Sequence, residues 1–355
     1  MTSAVQRLPA EQRYAEELAA LLTADQGPRP GGWRLSPRAV RSFVLGDGDR
    51  ISRKIEGNDA LVERAIVTLS GGRGLLLAGE PGTAKSLLSE LLAAAISGCS
   101  TLTVQGGAGV VEEHIRYGWN YALLLRDGPN QKALVPGPLY AAMAGGQLLR
   151  FEEITRCATE VQDCLIPVLS DRILHLPELK DEQDAWLLSR PGFNVIATAN
   201  LRDRGVNEMS AALKRRFNFE LMQALGRREQ AALIAREARR QLDEQAIEVE
   251  LPGEVIELLA TVFDELKRGE AAGVAVERPA TALSTAEAIG VVCNAASHCW
   301  YFGSSRLMPR HLGQFVAGAV VQGEAGDAER FAAYLRLLRQ QRAGLAEWQD
   351  FLDGC

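Results

Sequence analysis

The sequence predicts an α/β domain built on a five-stranded parallel sheet, followed by an all-α domain. Three observations predict it. Strand-like runs recur between helical patterns, apolar at residues 75–79, β-branched at 101–105, and further at 148–153, 193–200 and 217–221, the order expected of strands joined by helical crossovers. The first run passes through a glycine turn directly into a helical pattern at residues 85–92. From residue 230 onward the periodicity is nearly all helical, with breaks at 251–253, Gly273, 278–279, 303–305 and 323–326.

Length supports more than one domain, because 355 residues exceed the usual size of a single core. The expected divisions are an N-terminal helical extension over 1–50, an α/β domain over 51–224 and a helical domain over 225–355. The formal charge of −6 and pI near 5.5 disfavour binding a polyanion with the whole surface. Six cysteines without a C-x-x-C pair suit a reducing compartment. Cys293, His298 and Cys299 cluster, and are read as helix packing. Residues 1–12 lack an apolar signal segment and no run of 18 apolar residues occurs, so a cytoplasmic protein without a membrane span is expected.

The chemistry is concentrated first at Gly79, Glu80, Pro81, Gly82, Thr83, Ala84, Lys85, Ser86 and Leu87. A tight turn between a buried strand and a helix lets successive backbone N–H groups face a triphosphate, and the positive end of the helix adds to that field. Lys85 is placed to reach the β and γ oxygens of the triphosphate, and the Ser86 hydroxyl to hold Mg²⁺. Ala84 stands where G-x-x-x-x-G-K-[ST] has its second glycine.

Upstream, residues 13–24 and 33–44 have helical periodicity separated by a Gly/Pro break; this flank is read as packed rather than as a docking arm. From Ile51 to Leu69, apolar residues Ile55, Leu61, Val62, Ala65, Ile66 and Leu69 mark a further helix. Residues 110–140 look like an insertion carrying Tyr117, Trp119 and Tyr121. Its aromatics suggest packing more than base stacking, since Glu112, Glu113 and Asp127 interrupt the basic residues.

The second landmark is Leu148-Leu149-Arg150-Phe151-Glu152-Glu153. A strand ending in two carboxylates beside a phosphate loop provides one to orient the metal, Glu152, and one to polarise the attacking water, Glu153. Arg150 is expected to meet a carboxylate or phosphate, because an unpaired buried guanidinium costs several kcal/mol. Residues 170–176 alternate as a hairpin strand, with His175 on one face. Asn200 ends the next strand, where it can hydrogen-bond a γ-phosphate or a water. Residues 207–217 read as a helix ending in Lys214, Arg215 and Arg216. These cations either pair with the helix dipole or complete the site of an adjacent subunit as an arginine finger.

The ordered set of residues 79–86, Glu152-Glu153, Asn200 and Arg215-Arg216, with a helical domain behind it, resembles the AAA+ ATPases. Ala133-Leu134-Val135-Pro136-Gly137-Pro138-Leu139 and Ala212-Leu213-Lys214-Arg215-Arg216-Phe217 narrow the likeness to the MoxR branch. The segments Arg150-Phe151-Glu152-Glu153 and Tyr117-Gly118-Trp119-Asn120-Tyr121 resemble a MoxR-like subgroup with a variant acidic motif. The resemblance implies a three-layer α/β/α fold with a five-stranded parallel sheet. It implies residues 79–86 as Walker A, Glu152 and Glu153 as Walker B, Asn200 as sensor 1, and Arg216, with Arg215, as the finger. It further implies a homo-oligomeric, commonly hexameric ring that remodels or activates a protein client, chaperone-like, with a partner bearing a von Willebrand factor A domain. Sensor 2 departs from the pattern: Ala286 stands where the family has arginine, with Arg278, Arg306 and Arg310 as substitutes.

Two functions from different classes follow. One is an ATP-hydrolysing machine acting on a protein client. The other is a nucleotide-gated assembly module with little hydrolysis, motivated by Ala84, Glu152 and Ala286. A DNA-acting motor is disfavoured by the acidic charge and the lack of a basic recognition helix.

Overall fold

The computed structural model describes residues 7–179, 185–200, 207–280, 283–322 and 326–355; the expected break at 323–326 falls largely outside them. The chain forms two compact units: one comprises residues up to Glu80 and Ala84–Gln223, the other Pro81–Thr83 and Ala224–Cys355.

The first unit contains a five-stranded sheet. Its strands are β1 (Gly74–Gly79), β2 (Thr103–Gln105), β3 (Leu148–Glu152), β4 (Asn194–Asn200) and β5 (Phe217–Met222). All pairings are parallel, in the order β2-β3-β4-β1-β5. The period-2 alternation of strand side chains divides the core into two layers. Leu75, Leu77, Leu148 and Ile196 face the helix Lys85–Ser97 through Leu88, Leu92 and Ile96. Leu76, Leu149, Phe151, Val195 and Ala197 face the opposite way, against Met143, Val168 and Leu169. Each fully buried leucine contributes roughly 1.5–3 kcal/mol.

The N-terminal flank belongs to the first of these layers, to which it contributes Trp33, Leu35, Val40 and Phe43. Its helices are Ala10–Arg13, Ala15–Ala24 and Pro37–Leu45, the last capped by Ser36 with proline at its start. Lys54 pins the flank by donating to the Phe43 carbonyl at 2.8 Å and the Glu17 carboxylate at 2.5 Å.

Some elements differ from their sequence periodicity. The helix expected over residues 51–69 occupies Asp59–Ser70, because Gly57 turns the chain at φ +70 and leaves Ile51 and Ile55 buried in coil. The helix expected over 207–217 shrinks to Ala211–Lys214 behind a Ser210 cap. The insertion is an antiparallel hairpin, Tyr117–Trp119 with Leu134–Pro136, carrying the helix Tyr121–Asp127. Ile173–His175 pairs with Trp186–Leu188, so His175 is a hairpin residue as its alternation predicts.

The second unit holds the helices Arg227–Glu244, Gly253–Arg268, Thr285–Phe302, Pro309–Val320, Asp327–Gln341 and Ala346–Gly354. Leu259, Phe263, Val292, Leu312, Val316, Tyr334 and Phe351 form its core. At Gly273 the sequence shows only a helix break, whereas the chain makes a small hairpin, Glu270–Ala271 with Val274–Ala275.

Candidate nucleotide site

Parallel register gathers the chemistry at one end of the sheet. Gly79 lies beside Asn200, and Gln105 beside Glu152, so the loop after β1, the acid ending β3 and the amide ending β4 share the C-terminal edge where open α/β sheets bind ligands.

The phosphate-type loop leads into Lys85–Ser97 through Ala84, whose φ of +63 and ψ of 24 are left-handed. This conformation explains why glycine is usual there, and it costs alanine about 1 kcal/mol. Lys85 is 8% exposed and its Nζ donates to the carbonyls of Gly79 at 3.1 Å and Glu80 at 2.7 Å. The ammonium thus lies over the loop it would serve.

Glu152 is 4% exposed and ringed by donors. Its Oε2 accepts from Ser86 Oγ at 2.7 Å and Thr198 Oγ1 at 2.8 Å. Its Oε1 accepts from Arg150 Nη2 at 2.8 Å and from the Ser89 hydroxyl. Burial alone would push its pKa up; the Arg150 charge and the Ser89, Ser86 and Thr198 hydroxyls outweigh that and hold the carboxyl below its ordinary range. Arg150 therefore meets a carboxylate, as its place in a buried strand predicts.

Glu153 follows in the left-handed region at φ +52, which turns its side chain out of the strand. Its N–H donates to Thr198 Oγ1 at 2.9 Å and its carboxylate pairs with Arg156 at 2.6 Å. Gly106 closes this corner: its N–H donates to the Glu152 carbonyl at 2.7 Å, and a Cβ there would come within 2.2 Å of the Glu153 carbonyl oxygen.

Arg215 and Arg216 are not brought to this edge. The Arg216 carbonyl accepts from Gly74 N–H at 2.9 Å, at the opposite end of β1, and six strand residues span about 20 Å. Arg216 Nε donates to Ser170 Oγ at 2.9 Å and Nη1 to the Ala212 carbonyl at 2.9 Å; Arg215 is exposed.

Four contributors escaped the sequence reading: Ser89, Thr198, Arg156 and Gly106. Ser89 and Thr198 had a signal. Ser89 lies three residues after Ser86 on one helix face, and Thr198 lies two before Asn200 on one strand face.

In the second unit Ala286 falls in the first turn of Thr285–Phe302, inside a capping box of Ser284 and Glu287. The three arginines considered as substitutes are engaged within the unit. Arg278 donates to the Arg268 carbonyl at 2.7 Å, Arg306 pairs with Glu254 at 3.5 Å, and Arg310 pairs with Asp350 at 2.8 Å. Cys293 and Cys299 are buried helix residues, and the His298 ring packs on Phe302 at 4.9 Å. Among the described residues no group of three or more His, Cys, Asp or Glu could hold a metal, and no helix is long and apolar enough to cross a membrane.

Residues 74–217 match the AAA domain of the dynein-related subfamily, and residues 228–353 match the YehL-like AAA+ ATPase C-terminal domain. The uncharacterized protein YehL of Escherichia coli (strain K12) is 47% identical over 98% of this chain and 96% of its own length. The uncharacterized protein SH1500 of Staphylococcus haemolyticus is 27% identical over 46% of this chain and 60% of its own length. Among solved structures, NtrX from Brucella abortus in complex with ADP superposes with a TM-score of 0.52 at 13% identity, covering 84% of this chain and 64% of that one; this likeness concerns the fold. Whole-length identity to YehL and the two domain matches establish that the chain belongs to the YehL-like family of AAA+ ATPases, with an AAA domain of the dynein-related subfamily.

Proposed function

We propose that this chain hydrolyses ATP to ADP and phosphate with Mg²⁺, in a cytoplasmic homo-oligomer of MoxR type. The observation that carries it is the Ser86–Glu152 hydrogen bond of 2.7 Å at the sheet edge shared with Gly79 and Asn200. Two hard oxygens at that spacing suit Mg²⁺, which prefers oxygen ligands. The backbone from Gly79 to Leu87 and the N-terminus of a helix of 13 residues suit a triphosphate.

Bound Mg²⁺ would neutralise charge on the β and γ phosphates. Lys85 would exchange its loop carbonyls for phosphate oxygens. Glu152 holds the Ser86 hydroxyl. Glu153 accepts a proton from the attacking water, and Asn200 orients that water or the γ-phosphate. Arg216, with Arg215, lies a strand's length from its own loop, which supports service to a neighbour's site and hence a ring, hexameric by resemblance. On this reading residues 51–224 bind nucleotide, 225–355 act as a lid, and 1–50 extend the first. The work is remodelling or activating a protein client, chaperone-like, with a partner bearing a von Willebrand factor A domain; this rests on the MoxR-like segments alone.

The test is steady-state turnover of the full chain against Lys85→Ala and Glu153→Gln. Loss of at least tenfold in each is expected, and wild-type rates in both would overturn the reading. A second reading, a nucleotide-gated assembly module with little hydrolysis, is favoured by the 2.6 Å Glu153–Arg156 pair, which occupies the proposed base. Nucleotide-dependent assembly without turnover would select it.

A further inference from the structure

Arg150 occupies the face of β3 that looks onto the helix Lys85–Ser97, two residues before Glu152. On β1 the corresponding face presents Leu75 and Leu77 to the same helix. At 9% exposure the guanidinium uses its whole fork. Nε donates to Ser89 Oγ at 3.0 Å and Nη1 to the Ser100 carbonyl at 2.8 Å. Nη2 donates to the Ser86 carbonyl at 3.2 Å and to Glu152 Oε1 at 2.8 Å.

A buried ion pair of this kind is no more stable than the apolar contacts that could replace it, so packing gives no reason for it here. Its contacts give one. The fork joins the two residues whose oxygens would approach Mg²⁺: Ser86 through its carbonyl, Glu152 through its carboxylate. Glutamate also has one more rotatable bond than the aspartate common at such strand ends, and fixing a glutamate side chain costs up to about 2 kcal/mol of rotamer entropy. An arginine fork meets that cost before ligand arrives, which the point charge of a lysine does not.

We propose that Arg150 is a positioning residue for Mg–ATP: its fork holds the Glu152 carboxylate against the Ser86 hydroxyl, so that the extra affinity Mg²⁺ gives to ATP depends on Arg150. The inference rests on the nucleotide reading above. It assigns Arg150 no contact with the ligand.

The experiment measures equilibrium binding of a fluorescent ATP analogue to the full chain, in EDTA and in saturating Mg²⁺, for wild type, Arg150→Gln, Arg150→Lys and Ser89→Ala. In the wild type Mg²⁺ should tighten binding. Arg150→Gln should keep its EDTA affinity within about twofold and lose about tenfold of the Mg²⁺ gain, which is about 1.4 kcal/mol. Arg150→Lys should recover less than half of that loss, and Ser89→Ala, which removes one leg of the fork, should fall between. If Arg150→Gln fails to fold, Arg150→Lys and Ser89→Ala carry the same comparison. Variants with the wild-type Mg²⁺ gain would overturn the role of Arg150 alone, as would equal losses in EDTA and in Mg²⁺, which mark a purely structural residue. A wild type that binds no analogue in either condition would defeat the nucleotide reading itself.

Discussion

Glu153 and Arg156 form a 2.6 Å ion pair across the turn that follows β3, with side chains 34% and 49% exposed. Exposed pairs of this kind are worth up to about 1 kcal/mol, which corresponds to about fivefold in rate if the pair must open before Glu153 meets its water. Arg156→Ala should therefore raise basal ATP turnover by about two- to fivefold, measured as phosphate release at saturating Mg–ATP. A fall in turnover would mean that Arg156 assists the reaction instead of restraining it.

Ala84 carries a left-handed backbone at φ +63. Glycine adopts this conformation without the Cβ clash, so Ala84→Gly should stabilise the chain by about 1 kcal/mol and raise the midpoint of thermal unfolding by about 1–2 °C. Scanning calorimetry without nucleotide checks this; an unchanged or lower midpoint would show that the loop relaxes around alanine at no cost.

Gly106 has no room for a side chain, since its Cβ would meet the Glu153 carbonyl oxygen at 2.2 Å. Backbone must move to admit it, and such overpacking costs about 1–3 kcal/mol. Gly106→Ala should lower stability by that amount in urea unfolding and should reduce turnover more than ATP affinity, because the displaced atoms belong to the backbone of Glu153 and Glu152 and not to the phosphate loop.

The carboxyl of Glu152 sits below its ordinary value near 4.5. Between the folded and unfolded values the unfolded chain binds more protons, so ionised Glu152 stabilises the fold fully above pH about 4.5, and that contribution is lost as pH falls through the folded value. The stability advantage of wild type over Glu152→Gln should thus be largest above about pH 5 and shrink below about pH 4. Urea unfolding across that range measures it, and a constant difference would mean that the carboxylate is not specially held.

The three central strands were legible because each is a short run flanked by helical periodicity and buried along its length, while the edge strands Thr103–Gln105 and Phe217–Met222 alternate between buried and more exposed residues. The positions of the turn from Gly79 to Leu87 between β1 and its helix, and of Glu152 and Glu153 at the end of β3, were legible from local order alone. Helix ends were less so. Ile51 and Ile55 satisfy a helical pattern yet are buried in coil, because the core selects apolar residues whatever the backbone does. The donors around Glu152 carried only a weak local signal: Ser89 follows Ser86 by one helical turn, and Thr198 reaches Glu152 through strand register, which pairs Phe151 with Ala197 and so sets Thr198 beside Glu152. Arg150 was the exception, a charge in a buried strand that had to be paired.

On the proposed reading Lys85, Glu152, Glu153 and Asn200 form one ATP site completed by Arg216 of another subunit. Mixing Arg216→Ala with Glu153→Gln, each expected to be inactive alone, tests it most directly. Equimolar mixtures should recover measurable ATP turnover, because some interfaces then pair an intact Glu153 with an intact Arg216. Mixtures as inactive as either variant, or an Arg216→Ala chain that is fully active alone, would contradict it.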